Sequence, residues 1–269
     1  MLRLLEKNGE LKNTIIVVTS DNGMPFPRAK ATTYNYGVHM PLAIRWEKGV
    51  KNPGRVINDF VNHIDFAPTF LEVAGVKTPE EMSGKSLVEI FTSNRSGIVD
   101  QERSMTVTGI ERHVWARQNG KPYPRRAIHT ENLVYIRNYE PERWPMGGPS
   151  FGASHQGVFG DVDAGPTKSY MMDHREDAKI QDLFLKSFGK LPAEELYDIK
   201  KDPAQLNNLA DNSDYDWLKE ILRKDLEAYQ IKTADPRVLG KSPWDDYPFY
   251  AGEKYLKGHY LEEVLSLRK

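Results

Sequence analysis

An α/β fold is predicted for these 269 residues by a change of texture partway along the chain. The first hundred residues set a β-branched apolar run and short strands beside helical periodicity, which reads as part of a mixed sheet flanked by helices. From Ser104 onward, strands broken by turns precede a long helical stripe, which reads as a smaller α+β subdomain with an antiparallel sheet. The expected division is 1–100 and 101–269, with the polar stretch 92–103 at the boundary.

Leu2, Leu4, Leu5 and Leu11 fit the last turns of a helix that Asn8 and Gly9 interrupt or cap. Residues 14–19, Thr-Ile-Ile-Val-Val-Thr, form an apolar run without alternation, the pattern of a strand buried on both faces of a mainly parallel sheet. It ends at Ser20, Asp21, Asn22 and Gly23, a turn-forming cluster where open α/β sheets place ligands. After the Pro-rich loop 24–27, residues 40–46 read as another short strand. Ile64, Phe66, Ala67, Phe70, Leu71 and Ala74 recur at helical spacing from about Asn62, with Gly75 at the C-cap position. Residues 86–91 read as a short helix.

Further along, strands are predicted at 104–110, 126–130 and 133–137. Residues 140–168 are rich in Gly, Pro and aromatics with no period, the mark of a functional loop or an elaborated surface. Residues 195–198 form a candidate edge strand. A long helix is predicted over 215–229, with Trp217, Leu218, Ile221, Leu222 and Leu226 as its apolar stripe. The aromatic tail after Asp235 is expected to wrap the surface.

Lys plus Arg (37) nearly balances Asp plus Glu (38), so no global field favours nucleic acid or an anionic membrane as partner. The absence of cysteine excludes disulfides, thiolate metal sites and cysteine nucleophiles in this chain. No window approaches a membrane span, and residues 1–13 lack the apolar core and cleavage site of a secretory signal. These features leave the location unknown.

Asp21 and Asn22 offer a carboxylate and an amide carbonyl, hard oxygen donors suited to Ca2+ or Mg2+. Two ligands do not complete such a shell, and Asp-Asn-Gly also makes an ordinary turn. Lys30 follows two prolines that stiffen the loop. Its cation suits an anionic group held on a metal; the alternative is a solvated lysine.

The run Thr19-Ser20-Asp21-Asn22-Gly23 after a β-branched strand resembles the second metal-binding motif of sulfatases in the alkaline phosphatase superfamily. Later landmarks agree in order. His63-Ile-Asp-Phe-Ala-Pro-Thr-Phe-Leu-Glu-Val-Ala-Gly75 resembles the family's Asp-x-x-Pro-Thr helix, and Ser83-Gly-Lys-Ser-Leu87 resembles its Gly-x-Ser-Leu turn. Arg126-Ala-Ile-His-Thr130 with Leu133-Val-Tyr-Ile-Arg137 is similar to its central strand pair. Glu195-Leu-Tyr-Asp198, followed by Asp202-Pro203 and Asn208-Leu209, is similar to its Glu-Leu-Tyr-Asp signature. Asp-Asn-Gly-x-Pro-Phe-Pro, followed closely by a basic residue and a tyrosine, looks most like the heparan N-sulfatase branch.

The resemblance implies the C-terminal part of an alkaline-phosphatase-like α/β fold, a Ca2+ ion with Asp21 and Asn22 among its ligands, and Lys30 on the sulfate. The branch's best-known members have arginine at the position of Lys30; lysine keeps the charge but loses the bidentate fork. It implies a sulfated sugar or glycosaminoglycan as substrate and an enzyme of sulfate-ester or sulfamate hydrolysis. Family members are usually exported. The Cys/Ser-x-Pro-x-Arg segment that yields formylglycine is absent from this sequence, so that residue is expected in a missing N-terminal half. This chain alone is then expected to be inactive. An exposed sheet edge is expected to invite self-association.

Glu111, Arg112 and His113 cluster after a strand and become candidates for the sugar pocket, with strand-end polarity as the alternative. His39 reads as a satisfied, partly buried histidine. Trp144, Phe151, His155 and Phe159 either stack on sugar or cover the core. Arg125 and Arg126 with Lys121 either meet a sulfated polysaccharide or form solvated surface. Two other functions stay open: a non-catalytic sulfoglycan binder, and a phosphoester hydrolase of the same superfamily.

Overall fold

The computed structural model describes residues 1–152 and 156–247. Its elements run α1 (Leu2–Lys7), β1 (Ile16–Val18), α2 (Asn35–Val38), β2 (Ala43–Arg45), α3 (Phe66–Val73), α4 (Val88–Thr92), β3 (Met105–Ile110), β4 (Arg125–Thr130), β5 (Leu133–Asn138), α5 (Pro166–Asp173), α6 (Gln181–Phe188), β6 (Glu194–Asp198), α7 (Asp216–Lys232) and α8 (Pro243–Asp246). Two compact units result, Met1–Asp21 with Pro41–Thr106 and Asn22–Met40 with Val107–Lys269.

In the first unit β1 pairs antiparallel with β2, Val17 opposite Ile44. This corrects the expected doubly buried strand in a mainly parallel sheet. Only Ile16 is buried, and Val18 is 60% exposed. The β-branched run has one strand neighbour among the described residues, and its side chains pass from buried Ile16 through half-buried Val17 to exposed Val18. Leu87, Ile90, Phe91 and Val99 form the core here, with Ile44, Trp46, Ile57 and Phe66 packed against it.

The Asp-x-x-Pro-Thr landmark is a structural joint. Asn62 and Asp65 form a reciprocal capping box at the start of the helical segment leading into α3. The buried Asp65 carboxylate also accepts from the Lys85 backbone N–H at 2.8 Å and from Arg103 Nη1 at 2.8 Å. Gly84 is needed beside it, because a Cβ there would lie 2.0 Å from the Ile64 carbonyl oxygen. The helix ends as expected, with Gly75 at φ +70° just beyond its cap.

The second unit is built on an antiparallel sheet of order β3-β4-β5-β6, with β6 on its edge. Arg125 stands opposite Asn138 and Ile128 opposite Tyr135. Leu133 faces Asp198, and Arg137 faces Glu194. Alternation divides the strands into two buried faces. Ile128, Tyr135 and Leu196 pack on Leu222 and Leu226 of α7. Ala127, Val134, Ile136 and Tyr197 pack on Tyr34.

The α7 stripe is narrower than expected: Trp217 is 63% and Ile221 47% exposed, while Leu222, Leu226 and Gln230 are buried. Those three buried residues follow one i, i+4 row, and Trp217 and Ile221 lie about 100° away around the helix. Helices α5 and α6 carry no prediction from the sequence; Met171 and Phe188 on them join Met146, Phe159 and Val162 in a third core.

Candidate functional site

The segment from Asn22 to Met40 is fastened to the second unit by turns and long-range side chains. Gly23 donates its N–H to the Gly37 carbonyl at 3.0 Å. A Cβ on Gly23 would lie 2.0 Å from the Tyr36 carbonyl oxygen, so the motif's glycine is fixed by close backbone approach. Within the Pro-rich turn, Phe26 N–H donates to the Met24 carbonyl at 2.7 Å, and Lys30 N–H donates to that same oxygen at 3.1 Å.

Arg28 and Ala31 hold positive φ, 62° and 61°. Each costs on the order of 1 kcal/mol for a residue with a Cβ, and the surrounding contacts offset it. Arg28 Nη1 donates to the Lys186 carbonyl at 2.7 Å, Nη2 donates to the Gln205 carbonyl, and the guanidinium lies 4.2 Å over the Tyr34 ring. Tyr34 in turn donates to the buried Glu195, which also accepts from Tyr197 and Asn138. Burial, with the Glu195 carboxylate adding to it, pushes the Tyr34 hydroxyl well above its ordinary value.

Lys30, the predicted sulfate contact, sits on this anchored loop. Its ammonium is 2.9 Å from Asp163 Oδ2, and the two side chains are 28% and 20% exposed. The loop carrying Asp163 is itself stapled. Lys168 is buried and its ammonium donates to the carbonyls of Gln156, Phe159 and Val162 at 3.0, 3.0 and 2.9 Å. Burial lowers the Lys168 amine to about 8. Neither Asp163 nor Lys168 stood out in the sequence, since they lie in a stretch without periodicity.

The metal candidates fall on either side of the boundary between units: Asp21 is exposed and closes the first, and the half-buried Asn22 opens the second. A carboxylate and an amide oxygen match a hard divalent cation in donor chemistry. Among the described residues no group of three or more His, Asp or Glu could hold a metal. Two oxygen donors do not complete the shell of such an ion.

Glu111, Arg112 and His113 point to three different partners. Glu111 accepts from Arg126 Nη2 at 2.7 Å and from Arg237 Nη2 at 2.6 Å. It lines a cleft of about 260 Å³ with Gly109, Arg126, Tyr229 and Asp235. Arg112 donates to the carbonyls of Gly120 and Tyr247 at 2.7 and 2.8 Å. His113 Nδ1 lies 3.6 Å from Asp161, a buried carboxylate that also accepts from Arg117 Nη1 at 2.6 Å. Burial acts against the Asp161 charge, but Arg117 and His113 together hold its carboxyl below the usual range.

The remaining candidates resolve mostly into structure. Phe151 and Phe159 are buried, and Trp144 meets Phe159 edge-on at 6.0 Å; His155 lies outside the described residues. Arg125 is buried and Arg126 is paired with Glu111 and Asp235, so neither is solvated surface. His39 is exposed, against the expectation of partial burial, and its neighbour His129 is the buried histidine. His129 Nε2 is 2.9 Å from Thr108 Oγ1 and Nδ1 is 3.3 Å from Asn35 Oδ1. Burial, helped by the charge of His39, lowers the His129 imidazole to about 4.

The family model for the C-terminal region of N-sulphoglucosamine sulphohydrolase matches residues 28–143. An ulvan-active sulfatase of Formosa agariphila is 30% identical over 250 residues, spanning 90% of this chain and 37% of that protein. The human N-sulphoglucosamine sulphohydrolase is 25% identical over 242 residues, 88% of this chain and 45% of that protein. A solved structure of a protein with its substrate D-glucosamine-2-N,6-O-disulfate superposes with a TM-score of 0.59 at 26% identity, covering 87% of this chain and 37% of that one. The chain thus spans less than half the length of these relatives.

Proposed function

We propose, from the premise that this chain belongs to the sulfatase family and matches its C-terminal portion, that it contributes the anion-contacting part of a site for sulfated sugars. In this reading Lys30 donates to the sulfuryl group, and Asp21 and Asn22 supply oxygen ligands to Ca2+. The observation that carries it is the Lys30 ammonium, held at 2.9 Å by Asp163 on a loop whose backbone is tied at Gly23 and Lys30 itself. A cation placed in advance stabilises negative charge that grows on sulfuryl oxygens as the S–O or S–N bond breaks, without reorganising at that moment.

A divalent cation held by Asp21 and Asn22 would supply Lewis-acid charge for a sulfuryl group. Lys30 keeps donors for a sulfuryl oxygen, and the Arg28 and Tyr34 anchors hold the loop still. The sequence has no cysteine to convert to formylglycine. Hydrolysis in this reading needs a nucleophile from a segment beyond this sequence, and the purified chain is a binder only.

The test uses D-glucosamine-2-N,6-O-disulfate as probe, titrated calorimetrically into the purified chain with and without Ca2+. Binding is expected to weaken at least ten-fold in Lys30→Ala, and its Ca2+ dependence is expected to vanish in Asp21→Ala. Affinity unchanged by Lys30→Ala would sink the reading. Release of sulfate by the purified chain would overturn the claim that the nucleophile lies elsewhere.

A weaker companion reading is self-association through the β1 edge, supported by the exposed Val18. Sedimentation should then show an oligomer that Val18→Lys disperses.

A further inference from the structure

We propose that Asp163 acts as a charge filter on the Lys30 site, admitting a singly charged sulfate monoester or sulfamate and disfavouring the free sulfate dianion. The inference rests on the reading that Lys30 contacts the sulfuryl group, and it assigns Asp163 a role in separating substrate from product.

The geometry is specific. Asp163 Oδ2 takes one of the three hydrogens of the Lys30 ammonium, at 2.9 Å. Among the described residues it is the only acceptor of that ammonium, which is partly open to solvent. An anion on a second hydrogen of the same tetrahedral nitrogen therefore sits about 4–5 Å from the Asp163 carboxylate. Attraction to Lys30 and repulsion from Asp163 are then felt together. The pair supplies directed donors with little net charge.

Asp163 is held in place by more than its partner. Gln156 Nε2 donates to its other oxygen at 3.3 Å. Lys168 fixes the carbonyl of Val162, the preceding residue, at 2.9 Å. The Lys168 hydrogens are taken by three carbonyls, so this second cation offers an anion no directed contact. Asp161, the nearest other carboxylate on the loop, is turned to Arg117 and to the Val114 N–H. The loop thus keeps one carboxylate directed at the ammonium and turns its other charges inward.

Repulsion scales with the charge of the incoming anion, so its effect on log affinity doubles from monoanion to dianion. An ordinary lysine site favours the dianion. With Asp163 in place that preference is reduced or reversed. Hydrolysis converts a monoanionic ester or sulfamate into dianionic sulfate, so the same carboxylate disfavours retention of the product.

The full chain is titrated with sodium sulfate and sodium methyl sulfate at fixed ionic strength. The unaltered chain should bind methyl sulfate at least as tightly as inorganic sulfate. Asp163→Asn should tighten methyl sulfate about three-fold and inorganic sulfate about ten-fold, and Lys30→Ala should abolish both. Inorganic sulfate bound ten-fold more tightly than methyl sulfate by the unaltered chain overturns the filter without any variant. So does an Asp163→Asn chain in which both anions move equally or weaken. If neither anion binds the unaltered chain or Asp163→Asn, the Lys30 reading itself fails and takes the filter with it. Binding that depends on Lys30 but ignores Asp163 defeats the filter alone.

Discussion

The hydroxyl of Tyr34 donates to the carboxylate of Glu195 at 2.7 Å, tying the loop that bears Lys30 to the edge strand β6. The Glu-Leu-Tyr-Asp signature is thereby more than a strand. Its glutamate accepts from Tyr34, Tyr197 and Asn138 in a fully buried setting, and its tyrosine meets Tyr34 edge-on at 5.8 Å. Glu195→Ala would leave the Tyr34 and Tyr197 hydroxyls without their acceptor and Asn138 Nδ2 with the Pro192 carbonyl alone, costing about 3–5 kcal/mol. Tyr34→Phe removes a donor and leaves Glu195 two others, so it should cost only about 1 kcal/mol. Urea unfolding of both variants checks the ratio, and equal losses would contradict the shared-acceptor account.

Stability should also depend on pH through His129. Its folded pKa is about 4, below an unfolded value near 6.5, so the unfolded chain binds more protons between those limits. The contribution is complete above about pH 6.5 and is lost as pH falls toward 4, at up to about 1.4 kcal/mol per pH unit. Urea midpoints measured across that window should fall with pH. In His129→Gln, which keeps polar atoms beside Thr108 and Asn35, that part of the slope should disappear. A slope unchanged in the variant would assign the effect to another group.

Local chemistry made much of the second unit legible in advance. Alternation in Leu133-Val-Tyr-Ile-Arg137 gives a strand with two packed faces, and the Leu222–Leu226 spacing gives the buried row of a helix. The strand at 14–19 misled because a run of β-branched residues reports apolar character and not the number of strand neighbours. Glu111, Arg112 and His113 are adjacent in sequence yet separate at the end of β3, because they meet Arg126, Tyr247 and Asp161 respectively, each more than a dozen residues away. Asp163 could not be read at all: it lies 133 residues from Lys30, and a pairing of that range has no local signal.

Gly23 offers a test of the motif's backbone independent of any ligand. Its missing side chain is what lets the Tyr36 carbonyl approach, and Gly23→Ala should cost on the order of 3 kcal/mol through backbone displacement. Gly165→Ala is the control, because its φ of 178° is ordinary extended backbone and nothing lies within 4 Å of the added carbon. Thermal unfolding should separate the two clearly. A Gly23→Ala chain as stable as the control would show that the loop shifts freely.

Lys168 supplies the last prediction, because its amine serves the backbone of a loop and no side-chain partner. Lys168→Met keeps the length and the apolar stem but strips the donor from the carbonyls of Gln156, Phe159 and Val162. The Phe159 carbonyl keeps the Val162 N–H as donor, and each charge-assisted bond lost costs about 1 kcal/mol, so a loss of roughly 2–3 kcal/mol is expected. The loss should be local, since Phe159 and Val162 also pack with Met146, Met171 and Phe188. Amide exchange over 156–163 should therefore speed up far more than exchange in β4 and β5. Because Asp163 rides on this loop, acylation of the Lys30 amine, read by peptide mass spectrometry, should accelerate in the same variant. Faster exchange without faster acylation would mean that Asp163 keeps its hold on Lys30 without the staple, and Lys168 would then be a loop anchor with no bearing on the site.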